Sequence, residues 1–404
     1  MLGKQSSEVL IVGAGPTGLL TALRLAKHGI KVDIVDKQWR TGAHGYALAL
    51  HPRSLSLLAG DDLVEDLVRQ GHRVNRIAFW LDGTRRGEID FSRLESEFPF
   101  ALVLPQSTLE TEIESRLQKL GVKIHWNHRV DGLRIEDPET VADVSHLDQV
   151  ASGYPIARLE WAVVGSLKAR TRYVVAADGY HSHIRERVGI RYEQSGPRET
   201  FSVFEFESGQ DSGDEVRVVF EDGLASVYWP MAGRRCRWSF QITHADQHEP
   251  TRTRLNDFIR TRAPWFPPVE GEILWSSMVQ FDRRLASGMG RERVWLAGDS
   301  AHLASPVGVQ SMNSGLVDAC ELADALAGIL RENGTPELLE RYGENRMAEL
   351  RHLFGDGPAP RASDQAEDWA RGLARPILNC VPATGGDLSE LLRQIGLEFE
   401  AGGG

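Results

Sequence analysis

The stretch Ala297–Ala319, AGDSAHLASPVGVQSMNSGLVDA, decides how the rest of this chain is read. It follows the apolar run Val294-Trp295-Leu296-Ala297 and precedes an apolar segment, Leu316 to Leu330, whose spacing predicts a helix. Gly298 and Asp299 stand at the end of the predicted strand, and His302, Pro306, Gly308, Asn313 and Gly315 lead into the helix. A strand, a turn and a helix N-terminus form a polar receptacle for an electron-rich group, because the first backbone N–H groups of a helix have no partner within it.

A receptacle of the same kind lies at the other end of the chain. Gly13-Ala14-Gly15-Pro16-Thr17-Gly18 follows the apolar strand Val9–Val12 and opens a helix predicted over Pro16–His28. Gly29 stops that helix, and Lys31–Val35 reads as a second strand closed by Asp36. Gly13 permits the tight turn, Gly15 lets the backbone approach a pyrophosphate, and Gly18 lets helix and strand pack closely. An acid in the place of Asp36 accepts hydrogen bonds from a ribose diol and repels a 2′-phosphate. Two receptacles so far apart in one chain imply a long cofactor held at both ends. A third motif, Ala176-Ala177-Asp178-Gly179-Tyr180-His181-Ser182-His183-Ile184-Arg185, delivers Asp178 from an apolar strand to a turn. There a carboxylate can serve a helix N-terminus and a ligand together, or form an ordinary Asx turn beside a solvated arginine.

Between the motifs, Leu55–Val68 reads as helical and Thr108–Leu120 as a helix stopped by Gly121, followed by a strand over Val122–Trp126. Strands dominate from Val130 to Ala177. Phe201–Thr243 reads as an antiparallel sheet with turns at Asp222-Gly223 and Ala232-Gly233. Arg254–Thr261 is predicted helical, Ile273–Phe281 and Arg293–Ala297 as strands, and the chain beyond Asp318 as mostly helical. A nucleotide-type unit, a sheet-rich insertion and a return to the nucleotide type imply interleaved domains. The fold class is α/β, with a Rossmann-like domain interleaved with an antiparallel-sheet domain, plus C-terminal helices. The first domain is assigned residues 1–75, 106–185 and 286–345, the second 76–105 and 186–285, and the helical segment 346–404.

The formal charge of −11, from 57 acidic and 46 basic residues among 404, argues against nucleic acid as a partner. Cys236, Cys320 and Cys380 have no CxxC spacing, and His125, His128, His181 and His183 show no metal-ligand grouping, so no metal is expected. No apolar run approaches the roughly 20 residues that span a bilayer. The N-terminal residues run into the first strand without the pattern of a secretion signal, and a cytoplasmic protein is expected.

Taken together, GAGPTG at the start, Ala177-Asp178-Gly179 with Ser182 and Arg185, and AGDSAH with Pro306 and Gly308 resemble the FAD-dependent aromatic hydroxylases typified by para-hydroxybenzoate hydroxylase. The resemblance covers nearly the whole chain. It implies that Gly13, Gly15 and Gly18, with Pro16 and Thr17, line the FAD pyrophosphate and that Asp36, beside Lys37, binds the adenosine ribose. It places Gln106 near the ribityl–phosphate region, Asp178 and Gly179 at both FAD and NAD(P)H, and Gly298 and Asp299 at the ribityl chain. Pro306 and Gly308 would border the isoalloxazine with His302 nearby, and the backbone of Met312 and Asn313 would meet its pyrimidine end. The implied activity is that of a monooxygenase using NADPH or NADH and O2 to hydroxylate an aromatic, phenolic or polyketide-like small molecule. In that family oxygen adds at flavin C4a and the distal atom of the resulting hydroperoxide passes to the substrate. The alternative is a related flavin oxidoreductase that dehydrogenates or reduces without inserting oxygen. No second complete GxGxxG is present, so the nicotinamide cofactor would bind transiently.

Two departures stand out. Relatives often carry an arginine at the pyrophosphate in the segment after the second strand, where this chain has Thr41–Tyr46, with Arg40, His44 or Arg53 as candidate replacements. They also often have glycine where this chain has Val309 and Ser311. The substrate pocket is expected between the flavin and the sheet of residues 201–281. Phe204, Tyr228, Trp229, Met231 and Trp238 are candidate walls, although aromatic residues at alternating strand positions more often serve as core. Arg217, Arg235 and Arg237 read as solvated, with carboxylate binding as the alternative. His302 suits either a structural hydrogen bond or a general base, the first being the commoner use of a neutral histidine. No dedicated base is identified.

Overall fold

Four consecutive buried residues, Val9–Val12, form an inner strand of a six-stranded sheet. The computed structural model describes residues 7–39, 49–152, 158–209, 213–243, 246, 248–304, 306–354 and 357–400. The sheet runs in the order Gly290–Arg291, Val294–Leu296, Tyr173–Ala176, Val9–Val12, Val32–Val35, Ile124–His125. All neighbours are parallel except the antiparallel edge strand Gly290–Arg291. Strands covered on both faces read as continuous apolar runs, which is why VLIV, YVVA and VWL show no alternation. This sheet brings the three motifs side by side, since each sits at the C-terminal end of an adjacent strand.

The helices Pro16–Lys27 and Gln310–Arg331 pack against each other beside it. Thr17 is the wedge between them: a β-carbon added to Gly298 or to Gly315 would lie 2.6 Å from its Oγ1. Glycine is therefore required at both positions by close approach, and at Gly298 also by φ +66°.

A second, seven-stranded sheet runs Ile273–Phe281, Glu199–Glu207, Arg235–Ile242, Leu224–Pro230, Glu215–Glu221, Arg76–Leu81, Thr84–Asp90. It is antiparallel except where Glu215–Glu221 pairs in parallel with Arg76–Leu81, a strand from much earlier in the chain. Its side chains alternate between two faces. Phe204, Phe206, Tyr228, Trp238 and Phe240 form one buried cluster with Leu255, Phe258 and Ile259 of the helix Arg252–Arg262. Val203 and Trp229 belong to the main core on the opposite face, towards the first sheet. This corrects the expectation for Phe204, Tyr228 and Trp238: they are core beneath a helix, not pocket wall. Met231 is 4 % exposed and belongs to the main core.

Other differences are local. The helix expected over Leu55–Val68 is two helices, Pro52–Ala59 and Val64–Gln70, separated where Asp62 turns left-handed at φ +58°. The strand expected over Val122–Trp126 shrinks to Ile124–His125. The helix expected from Leu316 begins at Gln310, so Met312 and Asn313 lie in its first turn. Beyond the helix Glu337–Phe354 the chain forms short helices over Asp368–Gly372, Ala374–Cys380 and Gly385–Arg393 and a small two-stranded pairing of Arg361–Ala362 with Leu397–Glu398. Among the described residues no helix is long and apolar enough to cross a membrane.

The assignment of sheet faces predicts the outcome of two substitutions. Trp238→Ala removes a fully buried indole and lowers the free energy of unfolding by about 3–5 kcal/mol. Met278→Ala, at a side chain 40 % exposed, changes it by no more than about 0.5 kcal/mol. Urea denaturation of the two variants measures both, and equal losses would contradict the assignment.

Candidate cofactor and substrate site

An elongated cavity, with about 970 Å³ of empty space counted out to solvent, is lined from all three motifs. Gly15, Pro16 and Thr17 come from the first, Ala177 and Gly179 from the second, and Asp299, Pro306 and Met312 from the third. Gln106 and Phe281 complete it from neighbouring elements. The backbone at Gly15 is open to it, since a β-carbon there would meet nothing within 4 Å. Gly15 is also the N-cap of the helix Pro16–Lys27 and supplies no side-chain cap. Val309 caps the helix Gln310–Arg331 in the same uncapped way. Two helix N-termini with free N–H groups thus end at one cavity, which suits a ligand with a pyrophosphate at one end and an electron-rich ring at the other.

Gly13, at φ +107°, would bring a β-carbon to 2.1 Å from the carbonyl of Ala177, so the first and second motifs touch through backbone. Gly18 is packed against Gly13 in the same manner. Asp36 is half-buried, and its two carboxylate oxygens accept from Ala14 N–H and Gln38 N–H, both at 2.7 Å. It stiffens the first turn while keeping lone pairs for a diol, and Lys37 beside it is exposed. Gln106 is the first residue of the helix Gln106–Lys119 and donates through Nε2 to Glu110 Oε1 at 2.8 Å. Glu110 is 3 % exposed, and its other oxygen has no partner among the described residues. Burial, opposed by the Gln106 hydrogen bond and reinforced by the charges of Asp36 and Glu114, raises this carboxyl to about 7.

Asp178 spends its carboxylate on the helix His183–Arg187, accepting from Ser182 Oγ at 2.5 Å, His183 N–H at 2.9 Å and Ile184 N–H at 3.2 Å. Ser182 Oγ in turn accepts from Arg185 N–H at 3.0 Å. The Arg185 guanidinium lies 3.9 Å from the Tyr192 ring and donates to the Ser300 carbonyl at 2.9 Å, so it is not solvated. The second motif is thereby tied to the third, with Gly179 facing the cavity.

In the third motif Asp299 opens onto the cavity, whereas His302 is fully buried behind it. His302 Nε2 is 2.7 Å from Asp318 Oδ2, and its ring stacks on Phe354 with centroids 5.4 Å apart. Of the two uses open to His302, the geometry is that of a structural hydrogen bond. Asp318 also accepts from Gly298 N–H at 2.9 Å and from Arg346 Nε at 2.7 Å. Burial alone would raise its carboxyl, but His302, Arg346 and the Gly298 N–H bring it down to about 2. Arg346 pairs further with Glu349, and Glu349 with Arg53 Nη1 at 2.7 Å. Arg53 is therefore committed to this network rather than to the cavity; Arg40 and His44 lie outside the described residues.

Asn313 is fully buried and all of its side chain is used: Nδ2 donates to the carbonyls of Ala49 and Val309 at 2.9 and 2.7 Å, and Oδ1 accepts from His51 N–H at 2.8 Å. Burial lowers His51 to about 3, against the opposing pull of the Gly308 carbonyl. His51 is thus neutral, and its Nε2–H donates to that carbonyl at 2.9 Å. Gly308 faces away from the cavity, with the Asn379 carbonyl 2.5 Å from where its β-carbon would be.

On the sheet side a recess is walled by Val203, Trp229, Ser239 and Phe281, with Pro306 and Val309 opposite. Arg237 also lines it and is only 8 % exposed, donating through Nε to Glu205 Oε1 at 2.8 Å. The expectation that Arg237 is solvated fails because its strand position faces inward. Arg217 pairs with Glu215 at 3.1 Å, and Arg235 is exposed. Sequence reading missed His51, Glu110, Asp318, Arg346 and Phe281. Asp318 left a trace, as a lone acid near the start of the apolar run from Leu316.

These buried charges set three expectations. Because Glu110 ionises at about 7 in the fold and near 4.5 when unfolded, its stabilising contribution is full below 4.5 and lost as pH rises through 7. Glu110→Gln should stabilise the protein by up to about 3 kcal/mol at about pH 8 and by almost nothing at about pH 4, measured by thermal unfolding at the two values. Arg346→Met removes the arginine paired with the fully buried Asp318, while Glu349 keeps Arg53, and should cost about 3–5 kcal/mol. Asp318, lowered from 3.8, contributes stability above that value that is lost as pH falls towards 2. Asp318→Asn should therefore flatten the acid limb of the unfolding curve.

Comparison with known proteins agrees with this geometry. The FAD binding domain family matches residues 6–354. The 6-methylpretetramide 4-monooxygenase of Streptomyces rimosus is 30 % identical over 84 % of this chain, which spans 59 % of that protein's length. The para-nitrophenol 4-monooxygenase of a Pseudomonas species is 26 % identical over 88 % of this chain and 85 % of its own. Among solved structures, a p-nitrophenol 4-monooxygenase from Pseudomonas putida superposes with a TM-score of 0.74 at 22 % identity, covering 96 % of both chains. An aklavinone-11 hydroxylase with FAD and aklavinone has the same score at 21 % identity, over 96 % of this chain and 73 % of that one.

Proposed function

The chain belongs to the family of this FAD binding domain, that of the FAD-dependent aromatic hydroxylases, and on that premise we propose that it is a monooxygenase of a phenolic small molecule. The observation that carries the reading is the convergence of two uncapped helix N-termini and Asp299 on one cavity whose far side is a sheet recess with Trp229 and Phe281. The overall reaction consumes NAD(P)H, a proton and O2, places one oxygen atom on the substrate and releases the other as water. Bound FAD supplies the redox and oxygen chemistry.

The chain's own residues would bind and orient. The N–H groups at Gly15 and the first turn of its helix would hold the pyrophosphate. Asp36 would accept from the adenosine ribose and Asp299 from the ribityl chain. The backbone N–H groups at the start of the helix Gln310–Arg331 would meet the pyrimidine edge of the ring, with Asn313 fixing the turn that presents them. Pro306, Phe281 and Trp229 would keep water from the reacting face. The excess of acidic residues supports a small molecule rather than nucleic acid as substrate, and a need for NAD(P)H supports a cytoplasmic setting.

The test is direct. The purified protein should be yellow and release FAD on denaturation. A panel of phenols should contain at least one that accelerates NADH or NADPH oxidation. Under isotopically labelled O2 the product should carry one labelled atom; an unlabelled product would instead favour dehydrogenation or reduction.

A further inference from the structure

The helix Gln106–Lys119 carries an acid within its apolar stripe. Leu109, Ile113 and Leu117 are its buried residues, and Glu110 lies buried among them. A carboxylate in the interior needs a cation or a full set of hydrogen bonds. Glu110 has the hydrogen bond from Gln106 Nε2 at 2.8 Å, and its Oε2 is buried without a partner among the described residues. The cations on the neighbouring elements are engaged elsewhere. On the helix Pro16–Lys27, Arg24 and Lys27 pair with Asp61. On the helix Val64–Gln70, Arg69 pairs with Asp66, and Arg116 bridges Asp66 and Glu112. The charges that bear on Glu110 are those of acids: Asp36, just past the strand Val32–Val35, and Glu114, one turn along its own helix.

Glu110 stands behind the cavity wall. Gln106 lines the cavity beside Gly15, Pro16 and Thr17, where the pyrophosphate would sit. One N–H of its carboxamide goes to Glu110, which leaves the second N–H and the carbonyl for a ligand. An ionised Glu110 would place a like charge close to a doubly negative pyrophosphate, in an interior that screens charge poorly. The neutral acid still holds Gln106, because its carbonyl oxygen accepts the same hydrogen bond. Burial favours that neutral form and brings its ionisation to about 7, so both forms are within reach near neutrality.

We propose that Glu110 is a positioning residue for the cofactor: as the neutral acid it fixes the Gln106 carboxamide at the pyrophosphate seat, and its ionisation weakens FAD binding, so that the protein binds FAD together with one proton. The proposal rests on the reading of this cavity as the FAD seat. Because the neutral form is the one that binds, affinity is level below about 7 and falls as pH rises through it.

The experiment dilutes the holoenzyme serially at constant ionic strength, from about pH 6 to about pH 8.5, and reads the Kd for FAD from the fluorescence of released flavin. The wild-type Kd should rise by roughly tenfold to thirtyfold over this range, the effect of one group ionising at about 7. Glu110→Gln keeps a neutral acceptor in the same place, so its Kd should stay within about threefold throughout and be about tenfold or more lower than wild type at the alkaline end. Glu110→Ala loses the hold on Gln106 as well as the charge; its profile should be equally level, with binding about threefold or more weaker than Glu110→Gln at every pH. A level wild-type profile, a slope that persists in Glu110→Gln, or a Glu110→Ala protein that binds as tightly as Glu110→Gln overturns the proposal and leaves the parent reading intact. A released pigment other than FAD, or none retained at any pH, defeats the parent reading and this one together.

Discussion

A single buried carboxylate organises the reacting end of this molecule. Asp318 accepts hydrogen bonds from the backbone of Gly298, from His302 and from Arg346, and has no contact with water. The first two partners belong to the turn that carries Asp299, and the third to the helix Glu337–Phe354. The turn is therefore fixed from behind by charge, leaving Asp299 free to face the cavity. An ion in the interior is tolerated only when its hydrogen-bonding capacity is filled. Arg346 reaches on to Glu349, and Glu349 to Arg53, so the network ends near the surface rather than in an isolated pair.

The same turn is fixed from the front by shape. Thr17 lies against the backbone at both Gly298 and Gly315, so the first helix and the third motif fit together only where glycine stands at both positions. Gly13 presses on the Ala177 carbonyl, which adds the second motif to the same knot. Three segments far apart in sequence are thus pinned by contacts in which a single added methyl group would collide. This explains how a ligand spanning both helix N-termini can be held without a large closing motion: the two ends of its seat belong to one packed unit.

Much of this was legible in the sequence, and the reason differs from element to element. The turns at Gly13–Gly18 and Gly298–Gly308 were readable because backbone approach to a ligand or a neighbour leaves few residue types possible. The strands VLIV and YVVA were readable because burial on both faces makes a run. The substrate side was not, because alternation reveals which residues share a face and not which face looks at the cofactor. Tyr228 and Trp229 are adjacent and both aromatic; only the helix Arg252–Arg262, covering Tyr228, separates core from pocket wall. Arg237 looked solvated for the same reason. The early start of the helix at Gln310 was hidden by Ser311 and Asn313, residues of low helix propensity. Here Ser311 Oγ accepts from Ala304 N–H at 2.7 Å and Asn313 Nδ2 donates to the Val309 carbonyl, so their side chains close the turn.

The C-terminal helices lie beyond the matched family segment, yet they bear on the site. Gln310 is 2 % exposed and donates through Nε2 to the Leu378 carbonyl at 2.9 Å, while the Asn379 carbonyl occupies the space a side chain at 308 would need. Gln394 exchanges hydrogen bonds of 2.9 Å with the backbone of Asp90, on the edge strand of the second sheet. One segment therefore braces both the turn that would present N–H groups to the flavin and the sheet that would cover its substrate. That segment ties the two sides of the cavity together from outside its lining. Catalysis of this kind depends on the gap between ring and substrate, since a misplacement of about 1 Å can cost roughly a hundredfold in rate. The strain carried at Val309, a β-branched residue left-handed at φ +53°, is sustained by the same bracing. A turn free to relax would leave the left-handed region, and the side chain at the junction of the two cavities would move with it.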